Sequence, residues 1–264
     1  MNVHSELDKL HRELRLIAAE PHCASPGKII YHYTSADGLL GILRTGTIWA
    51  TNLFGLNDPD EVAHADKSCR DFLLERSGIT EYRELAQRAI EIQENNIHLI
   101  FPYELIFSAS FSFEGDLPGQ WDKYADSGHG YSIGFDPRSL LNRFLADCVD
   151  PNSGSTANFT FMQMIYSDDK KRELLQQLLA HAYTFWEKLK GQPDLDGDRM
   201  VDHVATRLVY WMTEASSLFK TEDWREEMEV RNTNPNFREL HLGNAQLNKQ
   251  FRPSGNELVS YLEG

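Results

Sequence analysis

Hydrophobic residues recur along the chain at two spacings, alternate positions in some segments and helical spacing in others. The first spacing predicts strands, and the second predicts helices. Residues 107–113 alternate strictly between apolar residues and serine, which predicts a strand with one buried face. Apolar residues at helical spacing predict helices at about 5–19, 80–97, 168–190 and 198–218. Further strands are predicted near 48–51, 130–135, 159–166, 226–231 and 257–262. Because strands and helices follow one another without βαβ regularity, we expect an α+β fold, with residues 1–264 as one domain and a helical insertion at about 168–218.

A short strand near the N-terminus runs directly into the start of a helix. Residues 29–34 are rich in β-favouring types, Ser35 can cap the helix that follows, and Gly46 can end it. Asp58 and Asp136, each followed by proline, predict two more helix starts. The polar triplet His32-Tyr33-Thr34 therefore lies at a strand end, where binding sites are often built.

Composition and charge narrow the class of protein. The net charge of −14 weighs against a general nucleic-acid or anionic-membrane binder, because phosphate contact depends on clustered lysine and arginine. The three cysteines, Cys23, Cys69 and Cys148, are widely spaced without a CxxC, which is typical of reduced thiols. No long apolar stretch or signal-like N-terminus occurs, so we expect a soluble cytoplasmic protein.

The late segment 226–231 carries acidic residues that could support chemistry. In a strand, Glu227, Glu229 and Arg231 would share one face, and two stacked carboxylates suit a site that stabilises a cationic intermediate. A solvated sheet edge with a Glu–Arg ladder explains the same spacing. His32 likewise has a second interpretation, as a satisfied interior group between aromatic residues.

A metal hydrolase is one hypothesis for this chain, and a weak one. Asp58, Glu61 and His64 would lie near one face of the helix that follows Asp58. Nothing in the sequence supplies a fixed fourth ligand, so no metal site is predicted.

The order of the short motifs along the chain is itself informative. The motifs are Tyr31-His32-Tyr33-Thr34, Ile48-Trp49-Ala50-Thr51, Asn57-Asp58-Pro59-Asp60-Glu61, Ser110-Phe111-Ser112, Trp121-Asp122-Lys123-Tyr124-Ala125, residues 130–136, and Lys220 and Trp224 with Glu227, Glu229 and Arg231. In this order the chain resembles an uncharacterised bacterial family, a domain of unknown function associated with the ADP-ribosyltransferase fold and with phage-defence or toxin contexts. The likeness covers most of residues 29–136 and 220–231 and little of 140–215.

The resemblance implies a split, mixed β-sheet with flanking helices and an enzyme that consumes NAD as its substrate. Such a transferase cleaves the nicotinamide–ribose bond and passes ADP-ribose to a macromolecular acceptor. By resemblance, His32 would bond a ribose hydroxyl, while the backbone of Tyr33 and the hydroxyl of Thr34 would hold the nicotinamide amide. Many relatives have glycine where this chain has Tyr33, whose side chain could crowd the pocket.

The remaining NAD-binding roles fall, by resemblance, on aromatic and acidic residues. Trp121, Tyr124 or Tyr131 would stack on nicotinamide, and the residues leave this choice open. Either Glu229 or Glu227 would be the late-strand glutamate that stabilises the oxocarbenium character of the ribose. Arg231 is expected to be a further NAD-binding residue.

Two other activities fit the same scaffold. One is an NAD glycohydrolase, and the other is a non-catalytic sensor or interaction protein that docks a partner through the helices at 168–218. The acidic net charge favours a protein acceptor mildly over nucleic acid. The expected partners are therefore NAD and an acceptor, without a membrane, and the toxin context leaves room for an antitoxin or other partner protein.

Overall fold

The fold is known from a computed structural model. It describes residues 3–19, 28–46, 48–56, 58, 60–100, 106–140, 160–190, 196–233, 249–254 and 257–262. The chain divides into two compact units. The first contains Met1–His22, Asp60–Pro102 and Ile165–Thr221, and the second contains Cys23–Pro59, Tyr103–Met164 and Glu222–Gly264.

The helices and strands follow most of the predicted periods. The α-helices are α1 Val3–Ala19, α2 Ala36–Thr45, α3 Glu61–Ser77, α4 Arg83–Ile100, α5 Pro118–Tyr124, α6 (described over 137–140), α7 Asp168–Leu189 and α8 Gly197–Ser216. The strands are β1 Ile30–Thr34, β2 Ala50–Asn52, β3 Phe107–Ser112, β4 Tyr131–Phe135, β5 Thr160–Gln163, β6 Glu229–Thr233, β7 Lys249–Ser254 and β8 Glu257–Leu262. Short 3₁₀ helices span Leu53–Gly55, Asp126–Gly128 and Glu222–Glu227.

The first unit is helical and consists, in its described part, of α1, α3, α4, α7 and α8. Leu7, Leu10 and Leu14 are buried on α1, as their helical spacing predicts. The two helices predicted as an insertion thus belong to a larger helical unit that also contains α1, α3 and α4. The assignment of the whole chain to one domain stays a prediction.

The first unit contains a buried carboxyl group whose contribution to the free energy of unfolding should depend on pH. Glu214 of α8 is 7% exposed, and its Oε1 has no hydrogen-bond partner among the described residues. Burial raises the pKa of Glu214 well above its usual value, and Arg15 opposes that rise. The folded state therefore holds the proton more tightly than the unfolded state, so this stability is present at acidic pH and is lost as the pH rises.

We expect Glu214→Gln to raise the free energy of unfolding by about 1–3 kcal/mol at neutral pH, because the amide needs no proton from solution. The gain should shrink below about pH 4.5, where both states protonate the carboxyl. Urea unfolding at neutral and acidic pH measures the difference. The same gain at both pH values would contradict the assignment.

The second unit is built on an antiparallel sheet. The strand order is β4-β1-β3-β2-β8-β7, and β6 pairs with β3 on one side and β5 on the other. Tyr31 of β1 pairs with Ser112, and Thr51 of β2 pairs with Ser108, so β1 and β2 meet opposite ends of β3. The α+β prediction is confirmed, whereas the predicted mixed sheet is wrong for the described strands, whose pairs are all antiparallel.

The strand pairing defines two faces of this sheet. Directly paired residues project to the same side and consecutive residues to opposite sides. The apolar face carries a buried cluster, which comprises Ile30, Ile48, Ala109, Phe111, Phe113, Phe161 and Val230. The polar face carries Tyr31, Ser112 and Glu229, which are joined by the pairs Tyr31–Ser112 and Ser112–Glu229. The separation of apolar residues and serines predicted for residues 107–113 is therefore confirmed, but the single buried face is wrong, because Ser108 and Ser112 on the polar face are buried as well.

Most of the predicted caps are confirmed. The Ser35 side chain accepts from the Gly38 amide, and Gly46 ends α2 with a φ of 70°. Asp136 accepts from the amide of Arg138 at the start of α6. The cap at Asp58 is wrong, because α3 begins at Glu61 after Asp60.

Some expectations lie outside the described residues, namely those for Asn57, Pro59, Cys23 and Cys148. Across the described part of the chain, no helix is both long enough and apolar enough to cross a membrane.

Candidate functional site

The chain passes from a 3₁₀ helix into β6 through a residue with unusual backbone geometry. Met228 has a φ of 47°, a left-handed conformation that residues other than glycine seldom adopt. Its amide donates to the Arg225 carbonyl, and its own carbonyl accepts from the Phe113 amide. Glu227 therefore ends the 3₁₀ helix and is not part of the strand, which corrects the predicted strand at 226–231.

Glu229 and Arg231 form a buried ion pair on the polar face. Arg231 Nε donates to Glu229 Oε1 at 2.7 Å, and Nη2 donates to Oε2 at 3.2 Å. The two residues are 4% and 1% exposed. They pair with Ser112 and Ser110 of β3 respectively, so their predicted shared face is confirmed. This two-point contact fixes the carboxylate in one orientation.

Glu227 is held beside this pair by three groups. Its Oε1 accepts from the Tyr124 hydroxyl and from Lys123 Nζ, each at 3.1 Å, and its carbonyl accepts from Ser112 Oγ at 2.8 Å. The Glu227 side chain is 7% exposed, whereas that of Lys123 is 44% exposed. Solvent therefore reaches the cluster at the Lys123 end.

The three aromatic candidates do not share one face. Tyr124 contacts Glu227, and Trp121 packs edge-on against Tyr33 with ring centroids 5.2 Å apart. Tyr33 projects to the polar side with Tyr31, because the two are separated by one residue of β1. Tyr131 pairs with Thr34 and so projects to the apolar side. The structure thus brings Trp121 and Tyr124, but not Tyr131, to the polar face.

His32 also lies on the apolar face. Its neighbour Tyr31 shares a face with Ser112 and Glu229, so His32 projects the other way, where its ring lies 5.7 Å from Phe111. His32 Nδ1 is 3.0 Å from the Ser110 carbonyl, which can only accept, so this nitrogen carries the proton. The structure does not bring His32 and Glu229 to one face, although the resemblance implies that both contact one ribose.

Thr34 packs against the first turn of α2. A Cβ placed on Gly38 would lie 2.0 Å from Thr34 Oγ1, so this contact requires glycine. Thr34, like His32, belongs to the apolar side of β1, away from the carboxylates.

The geometry of His32 predicts a structural effect on substitution. We expect His32→Ala to lower the free energy of unfolding by about 1–3 kcal/mol, because the bond between β1 and β3 is lost and the Ser110 carbonyl loses its donor. Burial lowers the pKa of His32, and the Ser110 bond opposes this. The folded state therefore binds the proton less well than the unfolded state, and this stability is lost as the pH falls through about 6.5.

His32→Asn supplies the matched control, because its amide can donate but does not titrate. We expect it to weaken the acid sensitivity, measured by urea unfolding at neutral pH and near pH 5.5. A His32→Ala protein with unchanged stability but no NAD cleavage would instead support the ribose contact that the resemblance implies.

The weaker metal hypothesis meets a specific obstacle at His64. The Nε2 atom of His64 lies 3.1 Å from Lys171 Nζ, which also donates to Asp168 Oδ1 at 2.8 Å. An ammonium beside that nitrogen competes with a metal ion for its lone pair. Within the described ranges, no group of three histidine, cysteine or acidic residues is placed to hold a metal.

Two contributors to the cluster were not predicted as site residues. Lys123 and Ser112 belong to short motifs in the sequence, but neither spacing nor residue type distinguishes them from surface residues. Lys123 lies next to Tyr124 on α5, and Ser112 faces β6, so only the tertiary contacts show their role.

These contacts define a buried carboxylate site in an α+β protein. A family model described as a protein of unknown function, DUF2971, matches residues 120–232. The match is consistent with the expected likeness to an uncharacterised domain family, and it covers less than half of the chain. It includes Lys123, Glu227 and Glu229, while His32 lies outside it. No curated protein and no solved structure matches the chain significantly.

Proposed function

We propose that this protein is an NAD-dependent ADP-ribosyltransferase whose chemistry takes place at the polar face of the sheet. The observation that carries the proposal is the burial of two carboxylates close in the chain, Glu227 at the end of the 3₁₀ helix and Glu229 at the start of β6, with the Tyr124 hydroxyl on Glu227. The family likeness of the short motifs supports NAD as the substrate. The acceptor is a macromolecule, and a protein is favoured by the acidic net charge.

The chemistry requires negative charge beside a ribose that becomes cationic. As nicotinamide departs, the ribose gains oxocarbenium character, and a fixed carboxylate stabilises it without having to reorient. Glu227 lies next to the exposed Lys123 and is thus the carboxylate nearer to solvent. Glu229 is held in one orientation by Arg231 and is a second fixed carboxylate of the polar face.

This proposal changes the roles that the resemblance implies for the N-terminal triplet. His32 and Thr34 project to the apolar face, so we assign them to the support of β1 and not to ribose or nicotinamide. Tyr124 becomes the preferred aromatic partner of nicotinamide among the three candidates, because its hydroxyl donates a hydrogen bond to the site carboxylate Glu227.

The first test is whether the wild-type protein binds and cleaves NAD. We expect millimolar NAD to raise the melting temperature, and we expect nicotinamide release with labelled ADP-ribose appearing on macromolecules in a lysate of the source cells. Release without labelling would identify an NAD glycohydrolase. The absence of a thermal shift, of release and of labelling in the lysate would overturn the proposal.

A non-catalytic interaction protein is the second candidate, and one observation favours it. Arg231 already pairs with Glu229 and Lys123 with Glu227, which is also the pattern of a structural charge network. This candidate predicts that neither carboxylate affects any NAD reaction, so the same assays distinguish it from the transferase.

A further inference from the structure

Lys123 makes contacts that are typical of a bound cation. Its Nζ atom lies 3.1 Å from Glu227 Oε1 and 4.1 Å from the centroid of the Trp224 ring. Tyr124 donates its hydroxyl to the same carboxylate oxygen at 3.1 Å. We propose that Glu227, Trp224 and Tyr124 form a binding site for an organic cation, and that Lys123 occupies this cation site until a ligand displaces it.

The chemistry of the three groups matches a cation. An indole ring attracts positive charge over its face, and a carboxylate attracts it directly. Glu227 is almost fully buried, so its charge is weakly screened and acts strongly on whatever lies beside it.

Lys123 is able to leave the cation site. Its side chain is 44% exposed, and a four-carbon stem lets the ammonium move into water without a change in α5. Arg231, by comparison, is 1% exposed and makes a two-point contact with Glu229, so it has no such freedom.

A second lysine shows which part of the arrangement is specific. Lys28 Nζ also lies 4.1 Å from an aromatic centroid, that of Phe113. No ion pair joins Lys28 to a carboxylate among the described residues. Lys28 is therefore a matched control for a lysine over a ring that lacks the acidic partner.

The ligand class follows from the groups. A flat ring with one positive charge would stack on an aromatic ring of the site, Tyr124 or Trp224, and place its charge beside Glu227. The identification of this ring with the nicotinamide of NAD rests on the proposed function. The cation site itself does not, because it follows from the contacts of Lys123.

Displacement of Lys123 should weaken ligand binding in the wild type. A partly exposed ion pair and a cation–π contact together stabilise the bound ammonium, and we expect them to lower the affinity of the wild type for the ligand about tenfold. Lys123→Met removes the charge and keeps most of the stem, so it should leave the cation site open.

The test is a titration with N-methylnicotinamide, a cation, and with nicotinamide, its neutral analogue, followed by calorimetry. We expect Lys123→Met to bind the cation about tenfold more tightly than wild type and to prefer it to nicotinamide. Adding Glu227→Gln to this variant should abolish the preference, while Lys28→Met should bind as wild type does. Melting curves confirm that each variant is folded.

The proposal is overturned if folded Lys123→Met binds the cation no better than wild type, or binds the two compounds equally. That result would not count against the proposed transferase, which is tested separately by NAD cleavage with the wild type. Conversely, a cation preference in Lys123→Met, together with no thermal shift, nicotinamide release or labelling by the wild type, would contradict the proposed function and keep the cation site.

Discussion

Arg231→Met is expected to lower the free energy of unfolding by about 3–5 kcal/mol, because it removes the guanidinium that makes a two-point contact with the buried carboxylate of Glu229. Glu229 is 4% exposed, and the Arg231 guanidinium donates one hydrogen bond to each of its carboxylate oxygens. Water cannot replace those donors at this depth. Denaturation by urea, followed by circular dichroism, measures the loss.

The double variant Glu229→Gln with Arg231→Met separates the cost of an unpaired charge from the cost of altered packing. We expect it to recover most of the stability, since both charges of this buried contact are then removed together. Lys67→Met is the control for an exposed pair, because Lys67 and Asp71 are both largely solvated and the change should stay within about 1 kcal/mol. If Arg231→Met behaves like Lys67→Met, the buried pair has no special role in stability.

Replacing Glu227 by glutamine is expected to reduce kcat/KM for nicotinamide release by about 100-fold or more, because the oxocarbenium-like ribose loses its nearest negative charge. The amide oxygen can still accept from Tyr124, so folding should be nearly unaffected. Steady-state assays with NAD, together with melting curves, give both quantities.

Glu229→Gln should reduce the same rate but should also destabilise the protein, because Arg231 then loses its carboxylate. Glu222→Gln is the matched control, because this exposed residue of the same 3₁₀ helix pairs with Arg225, which is exposed as well. Full activity in Glu227→Gln would exclude Glu227 from the reaction and would leave Glu229 as the candidate.

Local sequence patterns predicted the parts of the fold that depend on neighbouring residues. The alternation at 107–113 reflects a strand whose apolar residues share one face, and α2 is capped by the Ser35 side chain at its start and by the Gly46 backbone amide at its end. These signals act within a few residues and therefore can be seen in the sequence.

The site depended on features that the sequence does not encode locally. A shift of one residue in strand pairing exchanges the two faces, so the side of the sheet taken by His32 follows from the pairing of Tyr31 with Ser112. The break before β6 comes from a left-handed methionine, a conformation that usually signals glycine. Neither could be deduced from residue type or spacing.

The packing of the helices into one unit is also invisible in the local sequence. Periodicity predicted each helix but contains no information on which helices pack together. α1, α3 and α4 join α7 and α8 through contacts between residues far apart in the chain, such as the bond from Arg207 to the Leu7 carbonyl.

The tyrosine in the N-terminal triplet has a consequence for the loop that precedes α5. The Tyr33 hydroxyl donates to the Glu114 carbonyl at 2.8 Å and accepts from the Leu117 amide at 3.0 Å. Burial raises the pKa of Tyr33, so the phenol keeps its proton and both bonds persist at physiological pH. A glycine at this position would remove both hydrogen bonds to the loop, and the position of Lys123 and Tyr124 on α5 would then be less well fixed. The tyrosine side chain thus connects β1 to a segment about 80 residues further along the chain.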